Sequence, residues 1–147
     1  MPVDENGMNI ERMEEQLQKI RETRPEARIK GVYVIPNFQN PTGYTLTLER
    51  RKHLLALADQ YDFIIFEDDP YGDLRFEGKH LPPIISLETN GRVVHMRSMS
   101  KTFAPGLRVA WTIGPLEMIR KMVVAKQFVD VATNSLAQYI LLEFIRS

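Results

Sequence analysis

The feature that most constrains this chain is a set of short apolar runs separated by segments of helical period. Gly31-Val32-Tyr33-Val34-Ile35 and Phe63-Ile64-Ile65-Phe66 carry no polar residue. A strand with one wet face alternates apolar and polar residues, so these two read as strands buried on both faces. Arg92 to Met96 and Leu107 to Ile113 supply a third and a fourth strand. From Asn9 to Thr23, Ile10, Met13, Leu17 and Ile20 recur every three or four positions, which predicts an amphipathic helix. Thr47 can cap a second helix, Leu48 to Tyr61, with Leu54, Leu55, Leu57 and Ala58 as its apolar face. Gly114-Pro115 opens a third helix to about Val131, and a last one runs from about Asn134. Strand and helix alternate, so the predicted fold is α/β: a mostly parallel sheet with helices on both faces.

Charge and cysteine content narrow the chemistry. The 19 basic and 19 acidic residues cancel, which removes the electrostatic case for nucleic acid or an anionic membrane. The absence of Cys excludes disulfides, thiolate metal sites and a Cys nucleophile, and fits a reducing compartment. No apolar run approaches the ~20 residues that span a bilayer. The opening Met-Pro-Val-Asp-Glu-Asn-Gly has neither the basic nor the apolar region of a signal peptide, so the expected location is cytoplasmic.

In a parallel sheet, ligands bind at the carboxyl ends of the strands. The polar clusters fall there: Asn40 after the first strand, Asp68 and Tyr71 after the second, Ser98, Ser100 and Lys101 after the third. Arg108 stands at the start of the fourth and joins them only if that strand runs antiparallel. Lys101, between apolar neighbours, is expected to be partly desolvated, which makes its amine a nucleophile towards carbonyls. Two serine hydroxyls and a guanidinium suit a phosphate. A phosphate beside a nucleophilic lysine points to pyridoxal phosphate. Asp68 and Asp69 are adjacent acids that must point apart, and one can pair with a buried cation such as a pyridinium. A metal site there is disfavoured, because no His lies close in sequence. Asn40 before Pro41 is by itself an ordinary turn former, and a lone loop Tyr is ordinarily a packing residue.

Order and spacing decide between these readings. Asn40-Pro41-Thr42-Gly43, Asp68-x-x-Tyr71, Ser98-x-Ser100-Lys101 and Gly106-x-Arg108 together resemble the large domain of fold-type I pyridoxal-phosphate enzymes, and more narrowly the class I/II aminotransferases. The phrases from Pro36 to Gly43, Glu67 to Phe76 and Ser100 to Arg108 are similar to the branch that handles aromatic amino acids and 2-aminoadipate. The resemblance covers nearly the whole chain. It implies that Lys101 carries the cofactor as a Schiff base and shuttles the substrate proton. Asp68 would keep the pyridine nitrogen protonated, and Asn40 and Tyr71 would hydrogen-bond the ring's phenolic oxygen. Ser98, Ser100 and Arg108 would bind the phosphate, with the arginine's strand antiparallel. It also implies a homodimer in the intact parent, acting on small-molecule substrates, an amino acid and a 2-oxo acid.

The same resemblance implies parts that these 147 residues do not contain: an upstream phosphate-cradling loop and ring-stacking aromatic, and a downstream small domain with an arginine for the substrate carboxylate. The apolar run Ala137 to Ile145, with neither Gly cap nor Pro after it, reads as a helix cut in its last turn. The expectation is that 1–147 is the central part of a large domain, and a poor transaminase alone. Three alternatives stand beside the aminotransferase: a ligand-sensing domain of a transcription regulator, another reaction on the same cofactor such as a β-lyase, and an inactive remnant.

Overall fold

A computed structural model describes all residues, Met1 to Ser147. In chain order the elements are β1 (Val3–Asp4), β2 (Gly7–Met8), α1 (Ile10–Thr23), β3 (Gly31–Val34), α2 (Leu48–Tyr61), β4 (Ile64–Asp68), β5 (Val93–Ser98), β6 (Ala110–Ile113), α3 (Leu116–Val129) and α4 (Ser135–Arg146). Single 3₁₀ turns lie at Ile84–Ser86 and Pro105–Leu107. The main sheet has the order β3-β4-β5-β6; the first three strands are parallel and β6 is antiparallel. The fold is thus α/β with a mostly parallel sheet. No helix is long and apolar enough to cross a membrane.

Local signals set the helix starts. Asn9 caps α1 by accepting from the Arg12 N–H at 2.8 Å, and Thr47 caps α2 by accepting from Arg50 at 3.4 Å. Asp62, in the left-handed region at φ 55°, ends α2. The buried faces of α1 (Ile10, Met13, Leu17) and α2 (Leu54, Leu57, Ala58) close over Val34, Ile65 and Val93 of the sheet. A smaller cluster joins Ala137 and Leu141 of α4 to Met99, Val109 and the flanking Leu107 and Trp111. Many apolar side chains of α3 and α4 remain exposed, Phe128 and Val129 most of all.

Three boundaries differ from the sequence reading. β4 begins and ends later than Phe63 to Phe66; at its end Glu67 finds ladder partners on both sides, Val34 and His95, and Asp68 one on β5, Met96. β5 runs on to Ser98, which is therefore a strand residue. β6 starts only at Ala110; Arg108 precedes it in a left-handed conformation, φ 53° and ψ 35°, after the 3₁₀ turn. The strands also bury one face more than the other. In β4, Ile65 and Glu67 are buried while Ile64, Phe66 and Asp68 are half-buried. The face packed on α1 and α2 is the former.

A buried arginine ties the loops to this frame. Arg51, on the core side of α2, has no exposed surface. It donates to the carbonyls of Leu46 (2.9 Å), Pro82 (2.8 Å) and Pro36 (3.0 Å), and to Asn37 Oδ1 (2.7 Å). Burial lowers its pKa, and the carboxylates of Glu67 and Asp69 oppose that shift. Glu67, also fully buried, accepts from Ile84 N–H (2.7 Å), Ile85 N–H (3.1 Å) and His95 Nδ1 (2.9 Å), and so caps the 3₁₀ turn at Ile84.

Two expectations follow. Arg51→Met takes the donor from Leu46 O, Pro82 O and Asn37 Oδ1 and leaves Pro36 O with only the Leu46 N–H, so it should cost about 3 kcal/mol or more in urea unfolding; a loss under about 1 kcal/mol would contradict the hub. The hairpin β1–β2 is held by Arg50, whose Nη1 and Nη2 meet the two Asp4 oxygens at 2.5 and 2.8 Å. That hydrogen bond, chiefly, lowers the Asp4 pKa from 3.8 to about 2. A lowered carboxyl pKa stabilises the fold above the ordinary value and loses that contribution as pH falls from about 4 to about 2. Asp4→Asn should therefore lower Tm at neutral pH, and the gap to wild type should shrink towards pH 2; a pH-independent gap would count against the pair.

Candidate active site

The residues singled out in the sequence line one edge of the sheet. Three parallel strands end there, and antiparallel β6 begins there. In order across the edge come the loop after β3 with Asn40, the end of β4 with Asp68 and Tyr71, the turn after β5 with Ser100 and Lys101, and Arg108 before β6. Ser98 pairs with Ala110. β6 is antiparallel, as the resemblance implied, so its start, with Arg108 just before it, lies at the same end of the sheet as Ser98.

The loop from Asn37 to Gly43 is anchored at its base and free at its tip. Leu46 N–H donates to Pro36 O at 2.8 Å, and Gly43 N–H to Gln39 O at 2.6 Å. Asn37 is buried, and its Nδ2 donates to Asp69 Oδ1 at 2.9 Å while its Oδ1 receives Arg51. Phe38 takes a positive φ of 48° and lies under the Arg75 guanidinium at 4.7 Å. Asn40, followed by a cis peptide to Pro41, is exposed, and its side chain makes no hydrogen bond within the chain.

Alternation along β4 sorts the acids. Asp69 follows Glu67 on the core side, is buried, and serves the Asn37–Arg51 chain. A Cβ on Gly72 would run into its carboxylate, so only glycine fits there. Asp68 lies on the opposite, open side with Phe66 and Tyr33, the latter two aligned in register. Tyr33 Oη donates to Asp68 Oδ2 at 2.5 Å, and Oδ1 has no partner within the chain. Tyr71 is half-buried and close enough to raise the Tyr33 pKa electrostatically. The two acids do point apart, but the one facing inward is Asp69. Asp68 is half-buried within these residues and has no buried cation beside it.

At the other end of the edge the groups suit an anion. Ser98 Oγ donates to Ser100 Oγ at 2.8 Å and accepts from the Ser100 N–H at 3.1 Å. Arg108 is exposed, touching Pro105 O at 3.5 Å, and its left-handed backbone is a strain of order 1 kcal/mol. Lys101 is exposed rather than partly desolvated: it lies three residues past the end of β5 in an open turn, and no apolar side chain of this chain covers it. A carboxylate at the end of β4 and the cations Lys101 and Arg108 lie at the same end of the sheet, a charge arrangement suited to a molecule with a cationic and an anionic end.

Sequence reasoning missed three residues here: Arg51, Asn37 and Tyr33. Arg51 carried a usable signal, a charge at a position where the helical period of α2 calls for an apolar residue. Tyr33 carried none, since an aromatic in a strand is ordinary core material.

The whole chain, residues 1–147, matches the family model described as aminotransferase class I and II. It is 45% identical over 145 residues to aromatic-amino-acid aminotransferase 1 of Thermococcus litoralis, covering 99% of this chain and 34% of the relative. It superimposes on a kynurenine aminotransferase of Pyrococcus horikoshii, solved in complex with PMP, with TM-score 0.91 and 45% identity over 94% of this chain and 34% of that one. A multiple substrate aminotransferase of Thermococcus profundus gives TM-score 0.95 at 42% identity, covering 99% of this chain and 36% of that one. The chain therefore spans about a third of the length of the relatives it matches. Ordered motifs, strand-edge geometry and full-length match agree, and the chain belongs to the class I and II aminotransferases.

Proposed function

We propose that this chain carries the cofactor-binding centre of a pyridoxal-phosphate-dependent aminotransferase, which moves an amino group between an amino acid and a 2-oxo acid. The observation that carries the reading is the antiparallel β6, which brings Arg108 to the edge where Ser98, Ser100, Lys101 and Asp68 already stand. Relatives named for aromatic amino acids and kynurenine support an amino-acid substrate. The coverage of about a third supports reading 1–147 as the central part of a large domain. A homodimer in the cytoplasm belongs to the same proposal; assembly would cover the apolar side chains exposed on α3 and α4.

The donor set fits the cofactor at each end. An acceptor oxygen with no partner, Asp68 Oδ1, suits a protonated ring nitrogen. Two adjacent hydroxyls and a guanidinium suit a phosphate. Bound pyridoxal phosphate supplies an electron-poor ring that stabilises negative charge at the substrate carbon. The chain's residues do the rest. Lys101 would hold the cofactor covalently through Nζ and, once the substrate amine displaces it, would carry the proton from the substrate carbon to the cofactor. Asp68 balances the charge on the ring nitrogen. Asn40 and Tyr71 donate to the ring's phenolic oxygen. Ser98, Ser100 and Arg108 fix the phosphate, so the reacting carbon stays within reach of Nζ.

Two measurements test this. Borohydride reduction of the cofactor-loaded protein followed by peptide mapping should place the label on Lys101; label on Lys121 or Lys126 would overturn the assignment. In the intact parent protein, Asp68→Asn should cut turnover about 100-fold or more with the circular dichroism spectrum unchanged. Asp69→Ala, which removes the acceptor of Asn37 Nδ2, should instead lower Tm with a smaller effect on turnover. Equal losses of turnover from the two changes would contradict the division of labour between the acids.

A further inference from the structure

Tyr33 is the wrong residue for its place if packing were its purpose. It sits in the middle of β3 on the sheet face turned away from α1 and α2, and 55% of it is exposed. Its ring adds nothing to the core cluster. Its hydroxyl, by contrast, is engaged at 2.5 Å with Asp68 Oδ2, one strand across and two residues further along than its register partner Phe66. A phenylalanine would cover the same surface and lose only that bond.

We propose that Tyr33 is a positioning residue, whose hydroxyl holds Oδ2 of Asp68 and leaves Oδ1 as the acceptor for the cofactor's ring nitrogen. The inference rests on the reading of Asp68 given above. A carboxylate bound at one oxygen cannot rotate about its last torsion, so the second oxygen is held in one place. A donor on Oδ2 also draws charge from the carboxylate, so a proton shared between Oδ1 and a ring nitrogen resides on the nitrogen. Tyr33 can play this part at any physiological pH. Partial burial, then the hydrogen bond and charge of Asp68, push its phenol up to about 12, so it keeps the proton it donates.

The test has one arm without cofactor and one with it. In protein labelled at tyrosine Cζ with ¹³C, the Tyr33 resonance is assigned by its loss in Tyr33→Phe. In wild type it should stay un-ionised to about pH 11, and in Asp68→Asn it should ionise at lower pH. The same behaviour in both would mean that the two groups do not interact, and would overturn the proposal. In the second arm, pyridoxal phosphate affinity is measured by absorbance titration for wild type, Tyr33→Phe, Asp68→Asn and the double variant. Tyr33→Phe should weaken binding about 10-fold in wild type, the worth of a hydrogen bond to a charged group, and less than about twofold once Asp68 is Asn. Equal weakening in both backgrounds, or none in wild type while Asp68→Asn still weakens binding, would sink the positioning role alone. If Asp68→Asn leaves affinity unchanged, the reading of Asp68 itself fails, and the role of Tyr33 with it.

Discussion

The rest of the structure depends on the burial of one guanidinium. Arg51 is always charged, and taking it out of water is tolerable only because four of its five N–H groups meet an oxygen. Those oxygens belong to three separate stretches: the exit of β3 at Pro36 and Asn37, the approach to α2 at Leu46, and the irregular segment at Pro82. None of these stretches has a sheet or helix ladder of its own to satisfy its carbonyls. The arginine therefore does for the loops what the ladders do for the strands. Removing it would free the base of the Asn40 loop and the segment that closes over Glu67 together.

The chain of contacts continues from this hub to the strand edge. Arg51 fixes Asn37, Asn37 fixes Asp69, and Asp69 is continuous with the end of β4. Because side chains alternate along that end, holding Asp69 on the core side holds Asp68 on the open side. One acid is spent on rigidity so that its neighbour can be presented at a defined place. Glu67 repeats the device two residues earlier, where it anchors the Ile84 turn and His95. The acidic run Glu67-Asp68-Asp69 is thus two structural carboxylates flanking one that is available for chemistry.

Legibility varied with the range of the interaction. The three capped helices were readable almost to the residue, because Asn9, Thr47 and Asn134 act on N–H groups three positions away. The edge residues were readable because each follows an apolar run closely. Strand ends were less so: Glu67 and Asp68 look like loop residues, yet the flanking strands β3 and β5 supply them with ladder partners. The environment of Lys101 was misjudged for a related reason. Apolar neighbours in sequence do not desolvate an amine unless they fold over it, and Met99 is turned into the cluster with α4 instead.

The sequence by itself determined the α/β alternation, the helix starts, the family and the identity of the groups at the strand edge. These rest on local periodicity and on residues whose chemistry is fixed by type and spacing. Only the tertiary structure decided which of Asp68 and Asp69 is buried, that Arg51 joins three loops, and that Tyr33 meets Asp68 on the neighbouring strand. Each of those facts depends on strand register and on which sheet face α1 and α2 cover. Register is set by pairing between residues more than thirty positions apart, as Tyr33 with Phe66, and a shift of one residue would exchange the faces.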